Sequence, residues 1–218
     1  MNLFTISNLT KYFGTGSAKT AALDGVNLEI PQGKFVVILG ASGSGKSTLL
    51  NMLGLLDKPT SGKIMFGDTD VTTFSKRQMT AFRAENIGFV FQSYNLLPDL
   101  TALENVEFSA ELAGLPRTAA KDALAQVGLS ERLNHYPSEL SGGEQQRVSI
   151  ARAIAKNPKV LMCDEPTGAL DFNTGNKVIE VLKDIQTSQN TSVLLITHNR
   201  EITDVADIVI TMRSGVVV

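Results

Sequence analysis

The run Gly40-Ala41-Ser42-Gly43-Ser44-Gly45-Lys46-Ser47 has the spacing G-x-x-x-x-G-K-[ST] of a phosphate-binding loop. Its glycines let the backbone curl until successive N–H groups face one phosphate. The helix expected from Ser47 to about Leu56 adds its positive end. Lys46 is expected to reach the outer phosphates and the Ser47 hydroxyl to ligate Mg²⁺, with Thr48 next to it in the first turn. The alternative is a Gly/Ser-rich loop that merely enters a helix. Placement directly after the apolar run Phe35-Val36-Val37-Ile38-Leu39 favours the phosphate site.

A second apolar run, Val160-Leu161-Met162-Cys163, ends in Asp164-Glu165. Neighbours in a strand point to opposite faces, so this pair is expected to divide its work. Asp164 would hold Mg²⁺ through its water shell and Glu165 would orient and deprotonate an attacking water. An acidic pair that only opens the loop Pro166-Thr167-Gly168 is the alternative. A third run, Val193-Leu194-Leu195-Ile196, ends in Thr197-His198. A neutral imidazole at that strand end can hydrogen-bond a terminal phosphate. His135 has no such setting and is read as an ordinary loop residue.

These residues need a scaffold. The three continuous apolar runs suit strands of a parallel sheet covered on both faces. Ligands of open α/β sheets sit beyond the carboxyl ends of such strands, where the three polar endings would converge. Leu3 to Ser7, Val26 to Ile30 and Ile64 to Phe66 alternate apolar and polar residues, as half-buried and mostly antiparallel strands do. Ile87 to Phe91 is a further strand candidate. From about Ser93 to Asn157 the chain reads as helical, with capping-box spacing at Thr101-Ala102-Leu103-Glu104 and Ser141-Gly142-Gly143-Glu144. Later helices are expected over Phe172 to about Ser188 and Arg200 to Ala206. A terminal hairpin is expected to turn at Arg213-Ser214-Gly215.

Composition narrows the classes. A net charge of −2 over 218 residues gives no basic field, so nucleic acid is not indicated and an anionic ligand must be held by local geometry. The one cysteine, Cys163, cannot build a disulfide framework or a zinc site; it reads as a small buried hydrophobe in a reducing compartment. No stretch approaches the roughly 20 apolar residues that span a bilayer, and no signal peptide is visible at Met1 to Thr5, so no direct membrane insertion is expected.

Leu140-Ser141-Gly142-Gly143-Glu144-Gln145-Gln146, followed by Arg147-Val148-Ser149-Ile150-Ala151-Arg152-Ala153, resembles the signature of ATP-binding-cassette (ABC) ATPases. Gln92 after Gly88-Phe89-Val90-Phe91 is similar to the family's Q-loop glutamine. Gly168-Ala169-Leu170-Asp171 resembles the D-loop and Thr197-His198 the switch histidine, all in family order. The resemblance implies one α/β P-loop NTPase domain over 1–218, with a RecA-like, mostly parallel sheet core, an N-terminal antiparallel β-subdomain and an inserted α-helical subdomain. The core would span 1–92 and 158–218, and the helical signature subdomain 93–157.

The resemblance also implies roles. Gln92 would join Ser47 and Asp164 around Mg²⁺. Ser141, Gly142, Gly143 and Glu144 would meet the γ-phosphate on the other copy's loop (Gly40, Ala41, Ser42, Gly43, Ser44, Gly45, Lys46, Ser47, Thr48), and Asp171 would cross the same interface. Glu165, His198, Gln92 and Lys46 would carry hydrolysis. Aligning Thr10-Lys11-Tyr12-Phe13-Gly14 on the family puts Phe13, rather than Tyr12, under adenine, although either ring could stack. Two copies would close head to tail around two Mg·ATP and drive an integral-membrane permease from the cytoplasmic face. The stretch Gln92 to Val106, with Leu55 to Gly62, looks like the lipoprotein-release, macrolide-export and peptide-antibiotic-export branch. The apolar loop Tyr94 to Leu100 is a candidate permease-docking surface. The alternative is the related cell-division ATPase. Soluble ABC ATPases carry coiled-coil insertions or paired cassettes, and a P-loop kinase would have no use for the signature helix.

Overall fold

The computed structural model describes residues 1–14 and 19–218. They form two compact units, 1–83 with 194–218, and 84–193.

In the first unit, β1 (Asn2–Phe13) pairs antiparallel with β2 (Thr20–Pro31) and β4 (Ser61–Phe66), and β5 (Thr69–Asp70) completes the order β2-β1-β4-β5. The inward residues Phe4, Ile6, Leu9, Leu23, Ile30 and Ile64 are almost wholly buried. The alternation along β1 slips between Ile6 and Leu9, where the pairing is irregular and Asn8 takes a left-handed backbone (φ 49°). Asparagine tolerates that conformation, and the side chain of Asn27 accepts its N–H at 2.9 Å.

The same unit holds β3 (Phe35–Leu39), β9 (Ile208–Arg213) and β10 (Val216–Val217). β3 and β9 run parallel, and β10 folds back antiparallel on β9. β8 (Ser192–Thr197) crosses from the second unit into the first and lies on the other side of β3. Phe35, Val36, Val37 and Ile38 are 0% exposed, which suits a strand covered on both faces. Each such side chain contributes roughly 1.5–3 kcal/mol by leaving water. α1 (Lys46–Leu53) follows β3 and buries Leu49, Leu50, Met52 and Leu53.

α2 (Lys76–Asn86) holds the last residues of the first unit's 1–83 and the first of the second, and is absent from the expectations above. It is mostly polar and anchors through Phe82, which packs edge-on against Phe66 and Phe74. Its sequence signal is Ser75-Lys76-Arg77-Gln78. The Gln78 side chain accepts from the Ser75 N–H (2.9 Å) and hydroxyl (2.8 Å), the geometry of a capping box.

The second unit pairs β6 (Ile87–Phe91) parallel with β7 (Val160–Asp164). It also holds α3 (Ala102–Leu112), α4 (Thr118–Gln126), α5 (Gly142–Ile154) and α6 (Phe172–Gln189). Helix does not begin at Ser93. Residues 93–101 form a loop, because Tyr94 and Asn95 both have positive φ and α3 starts only at its Thr101 cap. The buried Asn105 shapes that loop: its amide donates to the carbonyls of Leu97, Leu100 and Thr101, and it accepts the Leu97 N–H at 2.7 Å. α5 lies close over β6. A Cβ on Gly88 would stand 2.7 Å from the Ala153 carbonyl oxygen, so only glycine allows that approach. Burial pushes the Cys163 thiol well above its ordinary range, reinforced by Asp164, as befits a core residue. Among the described residues, no helix is long and apolar enough to cross a membrane.

Candidate functional site

The loop Gly40–Ser47 turns between buried β3 and α1. Gly43 and Gly45 have φ of 77° and 100°, conformations that suit glycine. A Cβ on Gly40 would run into the Ser44 hydroxyl and the Met212 carbonyl. The turn after β9 braces the loop, with the Gly215 N–H donating to the Ser44 carbonyl at 3.0 Å. Lys46 is only 6% exposed, and its ammonium donates to the carbonyls of Gly40 (2.8 Å) and Ala41 (3.0 Å). A cation is thereby fixed beneath the loop.

α3, α5 and α6 each commit a side-chain oxygen to their first-turn amides, from Thr101, Ser141 and Asp171 respectively. α1 does not: its N-cap is Gly45. The first-turn N–H groups are donors without an intrahelical acceptor. The Ser44 hydroxyl is buried with no hydrogen-bond partner in the protein. Uncapped amides, a fixed ammonium and an orphaned hydroxyl are the chemistry of a polyphosphate site, and the residues fit that group. Ser47 is exposed and Thr48 half-buried on the first turn.

His198 is exposed just past β8. It lines one cavity of about 970 Å³ with Gly40–Ser44, and Arg200 and Arg213, which sequence reasoning did not single out, add positive charge to its walls. Phe13 closes β1 half exposed, with the Lys11 ammonium 5.1 Å from its ring centre. Tyr12 has one face covered by the Lys19 ammonium at 3.8 Å.

The second unit gathers the other residues. Phe91 is in register with Asp164 across β6 and β7, so Gln92 and Glu165 both follow directly on paired strand ends. A Cβ on Gly168 would lie 2.8 Å from the Gln92 amide nitrogen, so that side chain rests on the glycine. Asp164 and Glu165 are not two pleated neighbours, because β7 stops at Asp164. Glu165 has a left-handed backbone (φ 46°), and its carbonyl accepts the Gly168 N–H at 3.0 Å. The turn, not the strand pleat, separates the two carboxylates. A side-chain-bearing residue held in that conformation is the kind of strain that functional sites retain.

At the start of α5, the Ser141 hydroxyl accepts the Glu144 N–H (3.3 Å) while the Glu144 carboxylate accepts the Ser141 N–H (2.9 Å). Arg132 donates to the other carboxylate oxygen at 2.9 Å. Arg132 first, then Ser141, pull Glu144 down to about 2. The Gly143 site is tight for an internal reason: a Cβ there would overlap the Thr174 methyl on α6. Gly142 faces the Tyr94 hydroxyl and Leu170. Asp171 accepts the Thr174 N–H at 3.1 Å, and the Thr174 contacts hold its carboxyl below the usual range.

The chain is similar to known proteins in sequence and fold. The profile of the family described as ABC transporter matches residues 23–168. The lipoprotein-releasing system ATP-binding protein LolD of Geobacter metallireducens is 45% identical over 205 residues, 92% of this chain and 91% of that protein. The macrolide export ATP-binding/permease protein MacB of Vibrio parahaemolyticus is 46% identical over 220 residues, which cover 99% of this chain but 34% of MacB. The solved ATP-binding cassette MJ0796, a dimer in a post-hydrolysis state bound to ADP and Pi, superposes with a TM-score of 0.89 at 40% identity, covering 98% of this chain and 96% of that one. The chain belongs to the ABC transporter family, as an ATP-binding subunit that hydrolyses ATP.

Proposed function

We propose that two copies of this chain close head to tail around two ATP molecules, and that closure and hydrolysis drive an integral-membrane permease of an export or mechanotransmission system. The cargo class is lipoprotein, macrolide or antimicrobial peptide, and the chain works on the cytoplasmic face without entering the bilayer. The observation that carries this reading is the uncapped α1 end joined to the fixed Lys46 ammonium, which offers donors to a polyphosphate and has no acid in its first turn.

In this reading the amides from Gly40 to Thr48 and the Lys46 ammonium hold the phosphates, and Phe13 stacks on adenine. Ser47, Gln92 and Asp164 hold Mg²⁺, which when bound neutralises charge on the outer phosphate oxygens. Glu165 orients water and takes its proton, while His198 donates to the γ-phosphate. Ser141, Gly142 and Gly143 present the α5 tip to the nucleotide of the other copy, with Glu144 locking the cap and Asp171 crossing the interface. Each copy completes its neighbour's phosphate shell, so ATP joins the pair and loss of the γ-phosphate releases it.

Two substitutions separate binding from turnover. Lys46→Ala is expected to raise the ATP Kd by about tenfold or more, while Glu165→Gln keeps Kd within about threefold and lowers kcat by about 10²-fold or more. Wild-type binding and hydrolysis in Lys46→Ala would contradict the phosphate-site assignment.

A further inference from the structure

α5 touches the chain on both sides of Gln92. Upstream, the Gln146 amide nitrogen donates to the Phe91 carbonyl at 3.3 Å. Downstream, the Arg152 guanidinium donates to the Tyr94 carbonyl at 2.8 Å and to the Asn95 carbonyl. Tyr94 and Asn95 have φ of 57° and 53°, consecutive left-handed residues that both bear side chains. Such a pair persists only where its surroundings hold it, and here one guanidinium takes both carbonyls.

Packing does not account for these polar side chains. Gln146 is 0% exposed, and its side-chain oxygen has no partner in the protein. A methionine would fill the same volume without leaving a buried acceptor unmet, and that exchange ordinarily favours the folded state. Burial also lowers the pKa of Arg152, so the charge is held against a desolvation cost. Both side chains bond the backbone that flanks Gln92.

We propose that Gln146 and Arg152 are positioning residues for Gln92: the signature helix grips the chain at Phe91 and at Tyr94–Asn95, so the α5 tip and the Gln92 side chain move as one piece. The proposal rests on reading Gln92 as a group that acts at the bound nucleotide. It assigns the coupling to side chains within α5, and it makes Asn95 and Leu97, next to the grip, the entry point for any force applied to the loop. Leu97 shares a shallow groove with Arg152, Phe108 and Leu112.

The test compares Gln146→Met, Gln92→Ala and the double variant in the full chain, reading kcat, ATP Kd and Tm. Gln146→Met is expected to keep Tm at or above wild type and Kd within about twofold while kcat falls about tenfold. The double variant is expected to turn over no slower than Gln92→Ala alone, because both changes act through one group. Arg152→Lys removes the planar fork that meets the two carbonyls and keeps the test alive if methionine disturbs α5. It is expected to lower kcat at unchanged Kd, again without adding to Gln92→Ala. Losses that multiply in the double variants, or wild-type turnover in Gln146→Met and Arg152→Lys beside a slow Gln92→Ala, overturn the grip. Wild-type turnover in Gln92→Ala overturns the role given to Gln92, and with it this proposal.

Discussion

Gly143 and Glu144 stand side by side at the start of α5, and each is constrained from inside the chain. Gly143 lets α6 come close, because a Cβ would overlap the Thr174 methyl. Overpacking there costs about 1–3 kcal/mol, more than the roughly 1 kcal/mol that alanine gains over glycine in a helix. Gly143→Ala is therefore expected to lower stability in denaturant titration, and Thr174→Ser, which removes the methyl, to restore it. Equal loss in the presence of Thr174→Ser would show that the clash lies elsewhere. Glu144 is an acid depressed from 4.5 to about 2 by Arg132 and Ser141. Its stabilisation is complete above about pH 4.5 and disappears as pH falls through about 2. The stability gap between wild type and Glu144→Gln is expected to stay constant from about pH 7 to about pH 5 and to close below that. A gap that grows on acidification would contradict the assignment. At this scale the sequence was informative where chemistry fixes spacing, as in Gly40–Ser47. It was silent where a backbone angle decides: nothing in Asp164-Glu165 announces that Glu165 leaves the strand in a left-handed turn. Gln146 and Arg152 look like ordinary helix residues until the carbonyls they reach are known.

Elements were legible in proportion to how strongly they bury one face. β3, β7 and β8 read directly from their apolar runs, since each is covered on both sides. β1 was seen only over its first half, because the slip at Asn8 breaks the alternation that marks a strand. α2 escaped because its residues are mostly polar and Phe82 does much of the anchoring; its capping box was present in the sequence at Ser75 and Gln78. Ser75→Ala is expected to lower stability by about 1 kcal/mol, seen as a lower Tm with no change in ATP Kd. An unchanged Tm would mean that the cap contributes nothing to α2. The segment 93–101 reads as helix in the sequence, but the side-chain amide of Asn105 holds residues 97–101 in loop form. That contact joins residues on two elements, and hydrophobic periodicity carries no record of it.

At the scale of the molecule, a net charge of −2 supplies no general field for an anion, so the proposed phosphate site relies on oriented donors and the fixed Lys46. Of the residues given roles under the proposal, Gly40–Thr48 and His198 belong to one unit, and Gln92, Asp164, Glu165 and the α5 tip to the other. The most direct measurement is the mass of Glu165→Gln in solution by light scattering, with saturating Mg·ATP and again with Mg·ADP. The account predicts twice the single-chain mass with ATP and the single-chain mass with ADP. A single-chain mass in both, at nucleotide levels where binding is complete, would contradict it.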